Sequence, residues 1–338
     1  MKAAILIFAI SIPVAAVAQD GTLKAKNNEA AASAQAPGTA AQRPAERRRR
    51  GSVVGYIADA TIESQVRVRF DAGFHNNVPD RAEFFYAQCG CNGPTAPGPG
   101  APGAGDLTTD LKFQQLTVDV QYAANRRVAV FGSVPMRFVQ PQTFLGGTFK
   151  PPLTNSFTNE SGLSDLRAGV KVGIVADDKT TLTAQVQGYF NTGDAKKGLG
   201  TDHGAIEFAL LHNQLLSDRV ALESQFGDWH PTGGSSAGGL SYAGDVLFYG
   251  VGPSFEVVNT GHLTVAPVIE LVGWHVLGGL QQNAGALGPA EGTNIVNLKF
   301  GARTTFDNGS SIYVGYGRAL TDAVWYSDIV RFEYRYSF

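Results

Sequence analysis

Residues 330–338 alternate between two kinds of side chain. Val330, Phe332, Tyr334, Tyr336 and Phe338 are apolar or aromatic, whereas Arg331, Glu333, Arg335 and Ser337 are polar. Successive side chains of a β-strand point to opposite faces. The segment is therefore predicted to be a strand with one apolar face and one charged face.

The same alternation recurs from Glu63 onward and predicts twelve strands. They are placed at 63–74, 112–122, 127–138, 162–175, 181–192, 204–215, 219–229, 245–258, 262–276, 293–306, 311–320 and 327–338. Each has about the 9–11 residues that a tilted strand needs to cross a bilayer, or slightly more. The length of these segments therefore fits strands that span a membrane.

The connections between these strands alternate between short and long. Short turns rich in Asn, Asp and Gly, which suit tight hairpins, fall at 123–126, 177–180, 216–218, 259–261 and 307–310. Longer Gly-rich loops fall at 75–111, 139–161, 193–203, 230–244 and 277–292. Membrane barrels sort their connections in this way, whereas a soluble sandwich has no reason to. The sequence thus predicts an all-β, transmembrane, antiparallel up-and-down β-barrel with both termini on the periplasmic side.

Composition excludes several other classes of protein. The net charge of −2 gives no electrostatic reason to bind nucleic acid. No P-loop, dinucleotide fingerprint or metal-ligand spacing is present, so no cofactor and no metal are expected. Cys89 and Cys91 lack a nearby histidine pair and make a weak zinc site. A local disulfide and two free thiols both stay open for them.

The N-terminal region indicates export. Met1 and Lys2 precede an apolar run that ends at Ala16-Val17-Ala18, a pattern typical of a secretory signal cleaved after Ala18. The following stretch is rich in Ala, Gln and Pro and contains four consecutive arginines at 47–50. It has no periodicity, which is typical of disorder. The predicted organisation is a signal peptide at 1–18, a disordered periplasmic linker at 19–58 and an outer-membrane barrel at 59–338.

Two resemblances sharpen this interpretation. The terminal aromatic Phe338 resembles the last residue of bacterial outer-membrane barrels, which the barrel-assembly machinery reads. The stretches 161–171, 191–194 and 198–202 resemble a family of outer-membrane proteins named for the meta-cleavage pathway of phenol degradation. That family usually carries Gly-Leu-Gly-Asp and Pro-Thr-Gly-Asp, from which Ser164 and Asn191 depart. The resemblance implies a channel for small molecules, aromatic ones among them.

The strand faces assign many charged side chains to the barrel lumen. On the lipid face such charges would cost about 2–4 kcal/mol near the midplane. The inward basic residues form a predicted basic wall, namely Arg67, Arg69, Arg137, Arg167, Lys171, Lys299, Arg303, Arg331 and Arg335. The inward acidic residues of the opposite strands form a predicted acidic wall, namely Glu207, Glu223, Glu256 and Glu270. Opposed walls would set up a transverse field that orients dipolar solutes.

The favoured function is passive uptake of small solutes through this lumen, with outer-membrane lipid and the assembly machinery as further partners. A plugged barrel whose charges pair across a closed lumen, and which acts structurally or adhesively through its loops, stays open as an alternative. A third reading is an outer-membrane phospholipase, for which Ser224 beside His212 is the nearest candidate pair. No G-x-S-x-G motif accompanies that pair, so no catalytic residue is expected.

Overall fold

Twelve long strands make up the fold. The computed structural model describes residues 51–77, 108–144, 159–194, 197–201, 203–233, 236–237, 240–241, 243–283 and 286–338. The strands are β1 (Gln65–Asn76), β2 (Thr108–Ala123), β3 (Val128–Phe144), β4 (Leu166–Ala176), β5 (Thr180–Phe190), β6 (Ala205–Leu215), β7 (Val220–Pro231), β8 (Val246–Phe255), β9 (Leu263–Val276), β10 (Asn294–Phe306), β11 (Ser310–Ala319) and β12 (Asp328–Ser337). In the part of the chain that is described, no helix is long and apolar enough to cross a membrane.

The strands form a closed barrel in chain order. Each pairs antiparallel with its predecessor, and β1 pairs with β12 from Gln65 opposite Ser337 to Phe74 opposite Asp328. Closure leaves no long unpaired edge, which is the condition for a sheet to lie in lipid. The predicted antiparallel barrel of twelve strands is confirmed.

The connections sort to the two ends of the barrel as predicted. Tight connections join β2 to β3, β4 to β5, β6 to β7, β8 to β9 and β10 to β11, and they define the short-turn end. Gly261 and Gly309 occupy two of these turns with φ of 82° and 86°, a conformation that only glycine adopts without strain. The opposite, long-loop end carries the remaining connections.

Most strand bounds lie within a few residues of their predicted positions, but the fourth strand starts late. It was predicted from residue 162, whereas β4 begins at Leu166. Glu160–Leu163 forms a separate short strand on β3. Between the two, Asp165 turns its carboxylate toward a loop, which interrupts the pairing.

The outer face of the barrel is apolar. On β12, Val330, Phe332 and Tyr334 are 43%, 47% and 42% exposed, while the intervening Glu333 is fully buried at 0%. Val170, Val172, Ile174 and Phe300 are likewise exposed on other strands. The period-two prediction of faces is therefore confirmed, and the exposed belt is the lipid-facing surface of a transmembrane barrel.

Part of the predicted linker lies inside the barrel. Residues 52–61, called here the inserted segment, lie inside the barrel before β1 begins. Ser52, Val54 and Ile57 are only 2%, 1% and 4% exposed. They belonged to the predicted disordered linker because a short apolar stretch without alternation carries no strand signal. The signal peptide, residues 19–50 of the linker, Cys89 and Cys91 lie outside the described residues.

Aromatic side chains narrow the lumen at the long-loop end. Trp325 and Tyr326, from the connection between β11 and β12, fold inward and are 4% and 5% exposed. The ring of Trp325 lies 5.0 Å from that of Trp274 on β9, and the ring of Tyr326 lies 6.3 Å from that of Phe113 on β2. The described lumen thus contains the inserted segment and, above it, an aromatic cluster.

Phe300→Arg tests the lipid-facing assignment. Phe300 lies midway along β10 and is 48% exposed. A cation there should lower the free energy of unfolding in phospholipid vesicles by about 2–4 kcal/mol, because it would face hydrocarbon. Leu216→Arg is the control, since Leu216 is 59% exposed but lies in a turn. Equal effects of the two substitutions in denaturant titrations would contradict the assignment.

Candidate functional site

Acidic and amide side chains of the barrel bind the backbone N–H groups of the inserted segment. Six consecutive N–H groups, Val53 to Ala58, donate hydrogen bonds of 2.8–3.3 Å. Glu223 on β7 accepts the first two, Glu270 on β9 accepts the next three, and Gln225 accepts the last. Glu223 and Glu270 are 1% and 0% exposed. Buried peptide groups need hydrogen-bond partners. In this segment, which pairs with no strand, side chains supply the partners of the N–H groups.

Basic side chains bind the carbonyl groups of the same segment. Arg303 donates to the oxygens of Val53 and Val54 at 3.1 and 3.0 Å. The other carbonyl contacts are Arg335 to Ser52 at 3.4 Å, Arg331 to Gly55, and Lys171 to Asp59 at 2.6 Å. Carboxylates therefore face N–H groups and cations face C=O groups. Bonds to ionised partners are the strong kind of hydrogen bond.

The residues of the predicted acidic wall have three different environments. Glu223 and Glu270 bind the inserted segment. Glu207 accepts hydrogen bonds from Tyr189 and, at 3.1 Å, from Gln185. Glu256 lies one residue beyond β8, which ends at Phe255, and its N–H donates to the Arg219 carbonyl at 2.7 Å. There its carboxylate accepts a bond of 2.7 Å from Asn259.

The predicted basic wall is interleaved with carboxylates. Five cations pair with aspartates or Glu333: Arg67 with Asp119 at 3.0 Å, Arg69 with Asp71 at 3.5 Å, Arg331 with Asp71 at 2.6 Å, Arg303 with Glu333 at 2.7 Å, and Arg335 with both Asp59 and Glu333 at 3.0 Å. Lys299 donates to the Tyr326 hydroxyl at 2.7 Å and lies 3.9 Å from the centre of the Tyr56 ring. Arg137 bonds to Gln115. A purely positive wall is therefore not what the strand register builds.

Asp59 holds one end of the inserted segment in place. Its carboxylate accepts the Thr61 N–H and hydroxyl, both at 2.7 Å, and pairs with Arg335 at 3.0 Å. Burial raises the pKa of Asp59, but Arg335, Lys171 and the Thr61 bonds outweigh burial and hold that pKa at about 2. Asp59 is thus an anion that fixes the segment against β12.

A cavity of about 350 Å³ lies beside the inserted segment. Charged and amide side chains of β1 to β6 line it, among them Arg69, Arg137, Arg167, Gln187 and Glu207. Aromatic side chains line it as well, including Phe131, Tyr189, Phe248 and Trp274. The lumen is therefore filled on the side of Glu223 and Glu270 and open on the side of the arginines.

The three stretches that carry the family resemblance meet at the long-loop end. The Asp165 carboxylate accepts the N–H groups of Thr192 and Gly193 at 3.2 and 2.9 Å, and the N–H and hydroxyl of Thr201 at 2.8 and 2.9 Å. A Cβ on Gly200 would lie 2.6 Å from Asp165 Oδ1, so glycine permits this close approach. The motif residues thus clamp the loop between β5 and β6 onto the barrel.

The remaining candidate residues do not form a catalytic or metal centre in the described part of the chain. Ser224 Oγ lies 3.4 Å from His212 Nδ1 near the short-turn end, and no carboxylate among the described residues bonds to that histidine. A nucleophilic serine needs such a third group to orient its base. Within the described ranges no three His, Cys, Asp or Glu side chains are placed to hold a metal. Phe338, whose assembly role stays a prediction, is 68% exposed and bonds through its N–H to Ser64 at 3.0 Å.

No protein-family model matches the sequence, and no curated protein matches it either. Solved barrels are similar in structure. An outer-membrane channel from Pseudomonas putida F1 has 14% identity and a TM-score of 0.49, over 82% of this chain and 96% of that one. The β-domain of the Bordetella autotransporter BrkA has 14% identity and a TM-score of 0.46, over 82% and 100%. The NanC porin has 10% identity and a TM-score of 0.41, over 81% and 98%. The resemblance to the phenol meta-pathway family stays a prediction.

Gly55→Ala tests how the inserted segment is seated. A Cβ on Gly55 would lie 2.2 Å from the ring of the fully buried Tyr313, whose hydroxyl bonds to Glu270. Overpacking of this kind costs about 1–3 kcal/mol, so amide hydrogen exchange across residues 52–61 should rise about ten-fold. Gly51→Ala is the control, because a Cβ there meets nothing within 4 Å. Unchanged exchange in Gly55→Ala would contradict the seating.

Asp165→Asn tests the loop clamp. The asparagine amide NH₂ would face backbone donors, so two of the four bonds to this side chain should be lost. At about 1.5–3 kcal/mol per bond to a charged group, trypsin should cleave after Lys197 at least about ten times faster. Asp178→Asn, in an exposed turn at the other end, should leave the rate unchanged. A clamp variant that resists trypsin like the wild type would refute the role of Asp165.

Proposed function

We propose that this protein is a bacterial outer-membrane channel through which small solutes pass passively. The observation that carries the proposal is a closed, lipid-facing barrel around a polar cavity of about 350 Å³. A barrel with a purely structural task has no need of unfilled polar space beside its filled lumen. The predicted signal peptide and the predicted assembly signal at Phe338 agree with delivery to the outer membrane.

The inserted segment is the movable element in this proposal. It lies in none of the barrel strands, and the bonds that hold it to the barrel come from side chains. It can therefore leave the lumen without breaking any strand pair. Its departure would expose Glu223, Glu270, Arg303 and Arg331 to the lumen. The vacated pore would then carry carboxylates and cations on neighbouring strands, with Glu270 opposite Lys299 in the register.

The lining supports passage of small dipolar solutes. Amide and charged groups offer hydrogen bonds in both directions, and Phe131, Tyr189 and Phe248 add apolar surface. Aromatic solutes, which the family resemblance implies, would find rings to pack against. The absence of a nucleotide-binding motif from the sequence agrees with diffusion down a gradient.

A second candidate function is a structural or adhesive barrel that acts through its long loops. The filled lumen favours it, because the inserted segment and the aromatic cluster around Trp325 both stand in the path along the barrel axis. The two candidates differ in one respect: a channel conducts when the segment leaves, and a structural barrel does not.

Glu223→Gln/Glu270→Gln should open the pore. These amides keep the size of the side chains but place NH₂ groups against the N–H groups of the inserted segment. Loss of bonds worth about 1.5–3 kcal/mol each should raise the conducting fraction in planar bilayers at least about ten-fold. Glu256→Gln, in the turn after β8, should behave as the wild type does. If neither the wild type nor the double variant conducts, the result would support the structural candidate instead.

A further inference from the structure

The charges around the cavity do not balance. Seven arginine and lysine side chains line it, against five aspartates and glutamates. The excess is therefore positive. Either the cations are satisfied by the protein or the cavity is suited to an anion.

The five carboxylates are already engaged. Arg331 binds both oxygens of Asp71, at 2.6 and 2.9 Å. The other four are held by Arg67 at Asp119, by Arg335 at Asp59, by loop N–H groups at Asp165, and by Tyr189 and Gln185 at Glu207. They therefore have little capacity left for the remaining cations.

Two of the arginines are incompletely satisfied. The Nε atoms of Arg69 and Arg167 are buried and have no hydrogen-bond acceptor among the described residues. Arg69 forms an ion pair with Asp71, in which its Nε lies 3.5 Å from the Oδ2 atom that already accepts from Arg331. The guanidinium of Arg167 lies 4.9 Å from the centre of the Tyr189 ring, a contact that leaves its edge open. A planar guanidinium fork whose N–H groups are not all bonded is suited to a carboxylate.

Aromatic rings also border the cavity. Phe131, Tyr189 and Phe248 line the same cavity as Arg69 and Arg167. A cavity of about 350 Å³ has room for a planar organic acid. The combination of cationic forks and ring faces distinguishes such an acid from a neutral ring and from a cation.

We propose that this cavity is a binding subsite for small carboxylate anions with a planar apolar body, and that Arg167 and Arg69 supply the donors for the carboxylate. The proposal deepens the proposed function, on which it rests, by naming a class of solute. It assigns to the arginines a role in selecting the solute, in addition to the packing of the lumen. Neutral aromatic molecules would lack the bonds to these donors.

Calorimetric titration of the purified full-length protein in detergent with sodium benzoate tests the subsite. Benzyl alcohol and benzylammonium serve as the neutral and cationic probes of similar shape. Benzoate should bind at least ten times more tightly than either. Arg167→Gln and Arg69→Gln should each weaken benzoate binding about ten-fold, whereas Arg167→Lys should retain part of the affinity.

Arg219→Gln is the control variant, since Arg219 is exposed in the turn between β6 and β7. Each variant is first shown to be folded by its heat-modifiable migration in gels. Equal benzoate affinity in Arg167→Gln, Arg69→Gln and Arg219→Gln would overturn the proposal, and so would equal affinity for benzoate and benzyl alcohol. Benzoate binding without conductance in any variant would overturn the channel function and leave the subsite standing. Conductance without benzoate binding would overturn the subsite and leave the channel function standing.

Discussion

The structure depends on the satisfaction of a peptide backbone that runs through the lumen outside the barrel strands. Within a membrane, irregular backbone is tolerated only where protein or trapped water supplies its hydrogen bonds. Here Glu223 and Glu270 accept hydrogen bonds from the N–H groups, and Arg303 donates to two carbonyl groups. Each of these side chains is almost completely buried. Without the segment they would need water or a solute as partners, so the position of the segment decides how much of the lumen is filled.

The barrel and its contents are specified by the same strands. On β12, the residues that face lipid alternate with Arg331, Glu333 and Arg335, and these three organise the interior. Pairing of β12 with β1 brings Asp71 opposite Arg331. Closure of the barrel therefore builds part of the ion-pair network in the same step. Lipid exposure on one face and charge pairing on the other are two consequences of one register.

Interpretation of the sequence succeeded where local pattern decides structure. Period-two alternation located all twelve strands and assigned the face of residues such as Phe300 and Lys171. It failed where no period exists. The inserted segment lacks alternation, so its position could not be derived from the pattern. A short apolar stretch, Val53-Val54-Gly55-Tyr56-Ile57, after the arginine run was the available signal for the segment.

The sequence by itself determined the closed barrel, the face on which strand side chains lie and the abundance of charge inside, because these follow from alternation and from the cost of charge in lipid. Only the tertiary structure decided which charges meet. The register sets Asp71 against Arg331 and Asp119 against Arg67, and the return of residues 52–61 into the lumen engages Glu223 and Glu270. Such contacts join residues far apart in the chain, and a period along one strand carries no information about its neighbour. The cavity beside Arg69 and Arg167 is what this arrangement leaves open.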